Sequence, residues 1–314
     1  MRRLRTAALV VLVLVLLFYG GGGWYFAGQI EADALAVEPE GEVLRDREKY
    51  AYSGDPGRAF GVPFQDVEFS TPEGPMDAWF APGTGDTWAI LIHGRAAPRT
   101  ETLRAMKPFL DAGKPVMSIT YRNDPGQPED PTGYYRYGFT EWRDLEGAVR
   151  YAVDHGAADV LLFGISTGGA IAVSFMTQSE LAEEVVGLGF DSPNLDFGAA
   201  VSQEASNRSL PVVGLPIPES LVSAAKAIAE LRFGVDFEEL DYVPAAAGLE
   251  VPVLALHGTA DETIPIEVSR RLAGRAGENL RLVEFTGAAH VESWNADPAR
   301  YEQEIARFAR EAAG

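Results

Sequence analysis

The sequence predicts an α/β fold, with a mostly parallel sheet of about eight strands, helices on both faces and a small helical cap. Three observations predict it. Short runs of β-branched and apolar residues alternate with amphipathic helical segments over most of the 314 residues, the pattern of a parallel sheet buried on both sides. The stretch Asp159–Ala172 passes from such a strand through Gly164-Ile165-Ser166-Thr167-Gly168 straight into a helix of small residues. Residues with chemical capacity then gather at or just beyond strand ends: His93, Ser166, Asp191, Asp261 and His290. Ligands and catalytic groups collect at that edge of open α/β sheets.

The elements follow in order. Val62–Ser70 and Met76–Ala81 read as an antiparallel hairpin around Thr71-Pro-Glu-Gly-Pro75. Thr87–His93 is a buried strand, Glu101–Ala112 a helix ended by Gly113, and Pro115–Tyr121 the next strand. Trp142–His155 is an amphipathic helix, Asp159–Ile165 the strand before the glycine-bounded serine. Val185–Asp191, Val251–His257 and Leu280–Phe285 complete the strands; Ile266–Ala276 and Pro298–Ala312 are helices. Within 194–248, Leu210–Pro218 is apolar but too rich in proline for regular structure, and Glu219–Phe233 reads as a helix. That insertion is the expected cap. It either lines a pocket or packs on the sheet edge. Tyr134-Tyr-Arg-Tyr137 is the expected opposite wall.

Before these elements lies a membrane signal. Arg2, Arg3 and Arg5 precede an uncharged run from Thr6 to Gly28. At about 1.5 Å per residue, twenty-odd residues span a hydrocarbon core of about 30 Å. Trp24, Tyr25 and Phe26 fall where an aromatic belt belongs. An uncleaved single-pass anchor over residues 1–28 is expected. The competing reading is a signal peptide with Leu9–Phe18 as its core and Gly20–Gly23 as the cleavage region. The next acids, Glu31, Asp33, Glu38, Glu40 and Glu42, precede Arg45, so the basic start stays cytoplasmic and the remainder lies outside the cytoplasm. Residues 29–61 then form a juxtamembrane linker and 62–314 the main domain.

Composition narrows the chemistry. With 46% hydrophobic residues the chain can bury one large core. It has no cysteine, which excludes thiol catalysis, cysteine zinc sites and disulfides. Net charge is −20, and because the three N-terminal arginines are positive, the rest carries −23. Such a surface repels phosphate backbones, so no nucleic-acid partner is expected.

Gly164–Gly168 fits a nucleophile elbow, a turn so tight that the serine is strained with Oγ exposed. A serine hydroxyl needs an imidazole to remove its proton, and the imidazole needs an acid to fix its tautomer. Of four histidines, His155 caps a helix, while His93 and His257 end strands as His-Gly and serve neighbouring loops. His290, in the glycine-containing loop Phe285–Val291, remains as the base. Two aspartates compete to orient it. Asp261, between a strand and a helix starting near Pro265, is favoured over Asp191. Glu262 is read as a solvated neighbour. A developing oxyanion needs donors: the backbone N–H of Thr167, after the nucleophile, and that of Arg95, after His93-Gly94. The Arg95 side chain is expected either in a salt bridge or at the site mouth.

From Val62 to Gly314 the chain resembles the α/β-hydrolases, closest to the esterase and serine-aminopeptidase-like branch. The resemblance rests on His93-Gly94, Tyr121-Arg122, Gly164–Gly168, Pro252–Asp261 with Pro265, and His290. Ser166, Asp261 and His290 stand in that fold's Ser…Asp…His order. Two features depart from the pattern: Arg95 after His-Gly, and the N-terminal anchor. The resemblance implies a serine hydrolase acting on a small-molecule ester with no cofactor and no metal. An acyltransferase or a serine peptidase on the same triad is the enzymatic alternative, and a catalytically silent binding module the alternative from another class.

Overall fold

The structure, a computed structural model, describes residues 2–37, 52–211 and 214–312. The acidic stretch around Glu38 to Arg45 and two residues of the Leu210–Pro218 loop therefore lie outside the described residues. Eight strands form one sheet: β1 (Gln65–Thr71), β2 (Gly74–Ala81), β3 (Thr87–Ile92), β4 (Val116–Ile119), β5 (Asp159–Ile165), β6 (Val185–Asp191), β7 (Val253–Gly258) and β8 (Leu280–Phe285). Their spatial order is β1-β2-β4-β3-β5-β6-β7-β8. β2 runs antiparallel to both its neighbours, and every other pairing is parallel.

The helices are α1 (Arg2–Leu16), α2 (Gly23–Ile30), α3 (Pro56–Phe60), α4 (Leu103–Asp111), α5 (Trp142–Asp154), α6 (Thr167–Gln178), α7 (Phe197–Ser206), α8 (Glu219–Phe233), α9 (Val243–Ala247), α10 (Glu267–Ala276), α11 (Ser293–Ala296) and α12 (Pro298–Glu311). The two faces of the sheet are separated by strand alternation. Ala89 and Leu91 of β3 join Met106 and Phe109 of α4 and Ile305 and Phe308 of α12 in one apolar cluster. Ile90 and Ile92, one residue out of phase, join Leu145 of α5 and Ile171 of α6 in the other. β3 and β4 are buried along their whole length, which is why their sequences are near-continuous apolar runs and not an alternation.

Residues 194–248, the expected cap, contain α7, α8 and α9. α7 was not anticipated, because Gly198 in its first turn weakens the helical signal. Asp196 compensates, its side chain accepting from the Ala199 N–H at 2.8 Å.

The N-terminal segment differs from its sequence reading. Among the described residues one helix, Arg5–Leu35, is long and apolar enough to cross a membrane, a character that a signal sequence shares. Its 31 residues make it about 46 Å long. Residues beyond Gly22 pack against α8, and Ala27, Ile30 and Leu35 are buried in the same cluster as Ala225 and Ala229. The periodicity expected of a packed helix is obscured because the π-helical turns Leu17–Gly22 and Glu31–Leu35 rotate the buried face.

A backbone crossing under the elbow tests how tightly the sheet and α6 are locked. A Cβ on Gly168 would lie 2.3 Å from the Ile92 carbonyl oxygen. Gly168→Ala should lower stability by about 1–3 kcal/mol or more. Gly274→Ala, where a Cβ meets nothing within 4 Å inside α10, should be neutral or raise stability by about 0.5–1 kcal/mol. Thermal melts of the two variants beside the parent check both, and equal midpoints would contradict the crossing.

Candidate active site

β5 delivers Ser166 to the carboxyl edge of the sheet. Ser166 has φ 50° and ψ −115°, a left-handed conformation that costs a non-glycine residue of order 1–3 kcal/mol. The turn is over-determined by its surroundings. Ser166 donates its N–H to the Asp191 carbonyl at 2.9 Å, and its own carbonyl accepts from Gly169 and Asn194 at 3.0 Å each. A Cβ on Gly164 would meet the Gly168 backbone at 2.4 Å. The two glycines flanking the serine are thus demanded by backbone–backbone contact.

His290 and Asp261 arrive on adjoining loops after β8 and β7. Those loops touch so closely that a Cβ on Gly258 would lie 2.3 Å from the Ala288 carbonyl oxygen. The Ala260 N–H donates to that same carbonyl at 2.9 Å. The result is a continuous relay. Ser166 Oγ lies 3.0 Å from His290 Nε2, and His290 Nδ1 lies 2.8 Å from Asp261 Oδ2. The imidazole is 20% exposed while the Asp261 side chain is fully buried, so one end of the relay opens to the cavity and the other is sealed.

Asp261 is held by more than His290. Its Oδ1 accepts from the N–H groups of Thr263 and Ile264 at 2.9 and 2.8 Å. Its Oδ2 is also 3.3 Å from His257 Nε2. His257 Nε2 faces the Ile264 carbonyl at 3.1 Å, and its Nδ1 lies 2.7 Å from Ser269 Oγ. Those partners assign the proton to Nε2, leaving Nδ1 to accept from the serine hydroxyl. Burial raises the pKa of a carboxylate, but here the hydrogen bonds from both histidines and the Ile264 amide outweigh it. Asp261 sits well below the usual carboxylate range.

Asp191, the rival acid, is elsewhere. Its Oδ1 accepts from Ser293 Oγ at 3.0 Å, and Arg104 and Tyr301 face it within the core. It is fully buried, which raises its pKa, with Arg104 opposing. Asp191 supports the His290 loop from beneath, because Ser293 lies just after that loop and Arg104 Nη1 donates to the Val291 carbonyl.

The loop after β3 forms the other wall. His93 is buried, its Nδ1 2.8 Å from the Gly94 carbonyl and its Nε2 2.8 Å from Asp124 Oδ2. Both partners accept, so both ring nitrogens donate. Burial lowers the His93 pKa, but Asp124 and the Gly94 carbonyl raise it further. Tyr121 stacks on the ring at 4.5 Å and donates to the Gly94 carbonyl at 2.9 Å. Glu101 Oε2 takes the Gly94 N–H at 2.7 Å. Gly94, Arg95, Ala96 and Thr167 line one cavity with Ser166 and His290. The Arg95 side chain donates to the Asp33 carbonyl at 3.0 Å. His155 hydrogen-bonds the Tyr151 carbonyl at 2.7 Å on the far helix.

The cavity is about 910 Å³, at the upper end of ligand pockets. The cap lines it through Phe197, Val201, Ile217 and Val222, and the Tyr134–Tyr137 loop through Tyr137. Sequence reasoning missed Glu101, Arg104 and Asp124, whose roles depend on contacts distant in sequence. It also missed the lining from Phe26 to Val37.

No protein-family model matches the chain. Over 56 residues it is 36% identical to a bifunctional esterase/perhydrolase of Acinetobacter calcoaceticus. That match covers 18% of this chain and only a fifth of the length of that enzyme. Among solved structures, it is similar to the esterase Pf2001 of Pyrococcus furiosus, with TM-score 0.64, 18% identity and coverage of 84% of this chain and 98% of that one. A thermophilic esterase from Thermogutta terrifontis gives TM-score 0.56, 18% identity and coverage of 80% and 100%. The fold is that of the α/β-hydrolases.

The depressed Asp261 pKa has a pH signature. Its folded value lies below the unfolded value of about 3.9. It therefore contributes stability that is present above about pH 4 and lost as pH falls through the folded value. Urea unfolding of the parent and of Asp261→Asn should show the widest stability gap near neutrality, narrowing steadily below about pH 4. A gap that widens in acid would contradict the assignment.

Proposed function

We propose that this chain is a serine hydrolase that cleaves a carboxylic ester through an acyl-enzyme on Ser166. The relay from Ser166 Oγ through His290 to Asp261, at 3.0 and 2.8 Å, is the observation that carries the reading, and the similarity to esterases supports the choice of ester. His290 Nε2 takes the Ser166 proton as Oγ bonds to the ester carbonyl carbon. The negative oxygen of the tetrahedral intermediate is received by the N–H groups of Thr167, at the open start of α6, and Arg95. Asp261 holds the imidazole by its Nδ1–H and stabilises the cation. The intermediate collapses, the C–O bond to the alcohol breaks, and His290 returns the proton to the leaving oxygen. A water molecule then gives His290 a proton, its oxygen bonds to the acyl carbon, and the acid departs as Ser166 Oγ is reprotonated. An alcohol or amine in place of that water would make the same machinery a transferase, and an amide substrate would make it a peptidase.

The proposed organisation is a single-pass membrane protein with an N-terminal anchor over residues 1–28, a linker over 29–61 and an extracytoplasmic hydrolase domain over 62–314 carrying the cap at 194–248. The packing of α2 on α8 and the ties of Glu31, Ala34 and Leu35 to the Tyr134–Tyr137 loop join the anchor and the first part of the linker to that domain.

Fluorophosphonate treatment followed by peptide mass spectrometry should place the adduct on Ser166, and Ser166→Ala should abolish labelling in a folded protein. Asp261→Asn should lower kcat for ester hydrolysis by about 10⁴, as expected when the imidazole adopts the wrong tautomer. Asp191→Asn should lower it far less. Absence of labelling with any ester or probe would favour the silent binding module instead.

The topology has its own test. A C-terminal alkaline phosphatase fusion in a bacterial host should be active and membrane-bound. Active enzyme released into the soluble fraction would make the segment a cleaved signal.

A further inference from the structure

The glycine run Gly20–Gly23 has no role in the chemistry above, yet the structure uses it. Gly22 faces Leu221, whose Cδ1 would lie 3.3 Å from an added Cβ, and Gly23 faces Ile228 at 2.9 Å and Ala224 at 3.5 Å. Small residues on both sides bring the two helices into close contact, since Ala225 and Ala229 of α8 and Ala27 of α2 are all buried. Tyr19 Oη lies 3.0 Å from Ser220 Oγ near the start of this seam. Near its end Arg232 lies over the Trp24 ring at 4.0 Å and donates to the Trp24 carbonyl at 3.2 Å.

Beyond the seam the segment is sewn across the cavity. Tyr134 Oη donates to Glu31 Oε1 at 2.8 Å, Tyr137 Oη to the Ala34 carbonyl at 2.8 Å, and the Tyr135 N–H to the Leu35 carbonyl at 2.9 Å. Arg208 pairs with Asp33 at 2.7 Å and with Glu204 at 2.7 Å. These ties leave Phe26, Gln29, Ile30 and Ala34 lining the same cavity as Ser166 and His290. Opposite them, Val222 and Ala225 of α8 and Val201 of α7 add apolar surface. The carboxylates of Asp33 and Glu204 in the lining are engaged by Arg208, so the wall on this side offers chiefly apolar contact.

We propose that Phe26, Gln29 and Ile30 of the N-terminal helix are specificity-determining residues of the active site, forming with α8 the wall that receives the apolar chain of an ester substrate. The inference rests on the hydrolase reading and adds the substrate class: esters with a long, flexible apolar chain in preference to acetates. Helix length fits this role. About twenty residues suffice to span a bilayer, so of the 31 in Arg5–Leu35 roughly the last third is available to the site.

The test uses the full-length protein in detergent micelles, with p-nitrophenyl acetate and decanoate as substrates. The parent should favour decanoate in kcat/KM. Phe26→Ala widens the wall and Gln29→Trp narrows it, so the decanoate-to-acetate ratio should rise in the first and fall in the second, each by about 10-fold, the order that a single methylene commands in an apolar pocket. Trp24→Ala removes a side chain that is 58% exposed on the same helix and outside the cavity lining, and should leave the ratio unchanged. Opposite shifts at two neighbouring positions cannot come from loss of tethering or stability. Fluorophosphonate labelling of Ser166 in every variant separates the outcomes. If Ser166 labels but the ratio stays fixed in both variants, or Trp24→Ala moves it equally, the wall is not a determinant. If the parent itself fails to label, the hydrolase reading falls and this inference with it. Should Phe26→Ala not fold, Gln29→Trp at its half-exposed position carries the test alone.

Discussion

The backbone of the elbow passes so close to its neighbours that two of its positions have no space for a side chain. A Cβ at Gly168 would press on the Ile92 carbonyl oxygen at 2.3 Å, and one at Gly164 on the start of α6 at 2.4 Å. Because β3 and β5 are adjacent and parallel, that contact also fixes the height of the loop after β3 relative to Ser166. The positive φ of Ser166 is the local strain that this contact sustains. Packing elsewhere supplies the energy, chiefly the two apolar layers flanking fully buried central strands. The strained residue is the one whose hydroxyl faces His290, so the sheet's stability is converted into preorganisation of one side chain.

The same conversion governs charge. Asp261 is buried, where an isolated carboxylate would be driven towards its neutral form. Two backbone N–H groups and two imidazoles reverse that outcome. His257 is central here: it takes its orientation from Ser269 and the Ile264 carbonyl and presents Nε2 to Asp261. His93, with two acceptors, plays the complementary part on the opposite loop. Two of the four histidines are thus structural. The distinction follows from the partners: His93 and His257 are enclosed by protein groups, whereas His290 has one nitrogen on a buried acid and the other on the cavity side.

Fold and candidate site differed in how far they were legible. The central strands were readable because a strand buried on both faces must be apolar throughout, and a helix must separate it from the next parallel strand. Ser166 was readable because the elbow needs small residues at fixed offsets. His290 could be chosen because so few histidines compete, and its preference for Asp261 over Asp191 came from chain order and loop position. Glu101 and Arg104 were not readable. Each is a charged residue in a helical stretch that periodicity assigns to solvent, yet Glu101 is 4% and Arg104 1% exposed. Their burial is compensated by the Gly94 N–H and the Val291 carbonyl, partners that come together only when β3, β6 and the last loop meet at one edge. No local signal encodes such a meeting.

The N-terminal helix is the harder case, because composition pointed to one physical role and concealed a second. A run of leucines and valines followed by glycines and aromatics reads as a membrane segment, and a chain leaving the bilayer reads as a tether. A tether needs only length. The structure instead has a continuous rod: helical geometry persists from Arg5 to Leu35, and Gly22 and Gly23 let it come close to Leu221, Ala224 and Ile228 of α8. Close backbone approach is specific in a way that bulk is not, since a one-residue slip would put the Trp24 side chain where Gly23 meets Ile228 and Ala224. The π-turn over Leu17–Gly22 then sets which face meets α8, and the π-turn over Glu31–Leu35 turns the carbonyls of Asp33 and Ala34 towards Arg95 and Tyr137. Arg95 belongs to the loop expected to stabilise the oxyanion, and its guanidinium grips the segment at Asp33. The rod therefore meets the cavity that holds Ser166 and His290 in two ways, through the lining from Phe26 to Val37 and through Arg95.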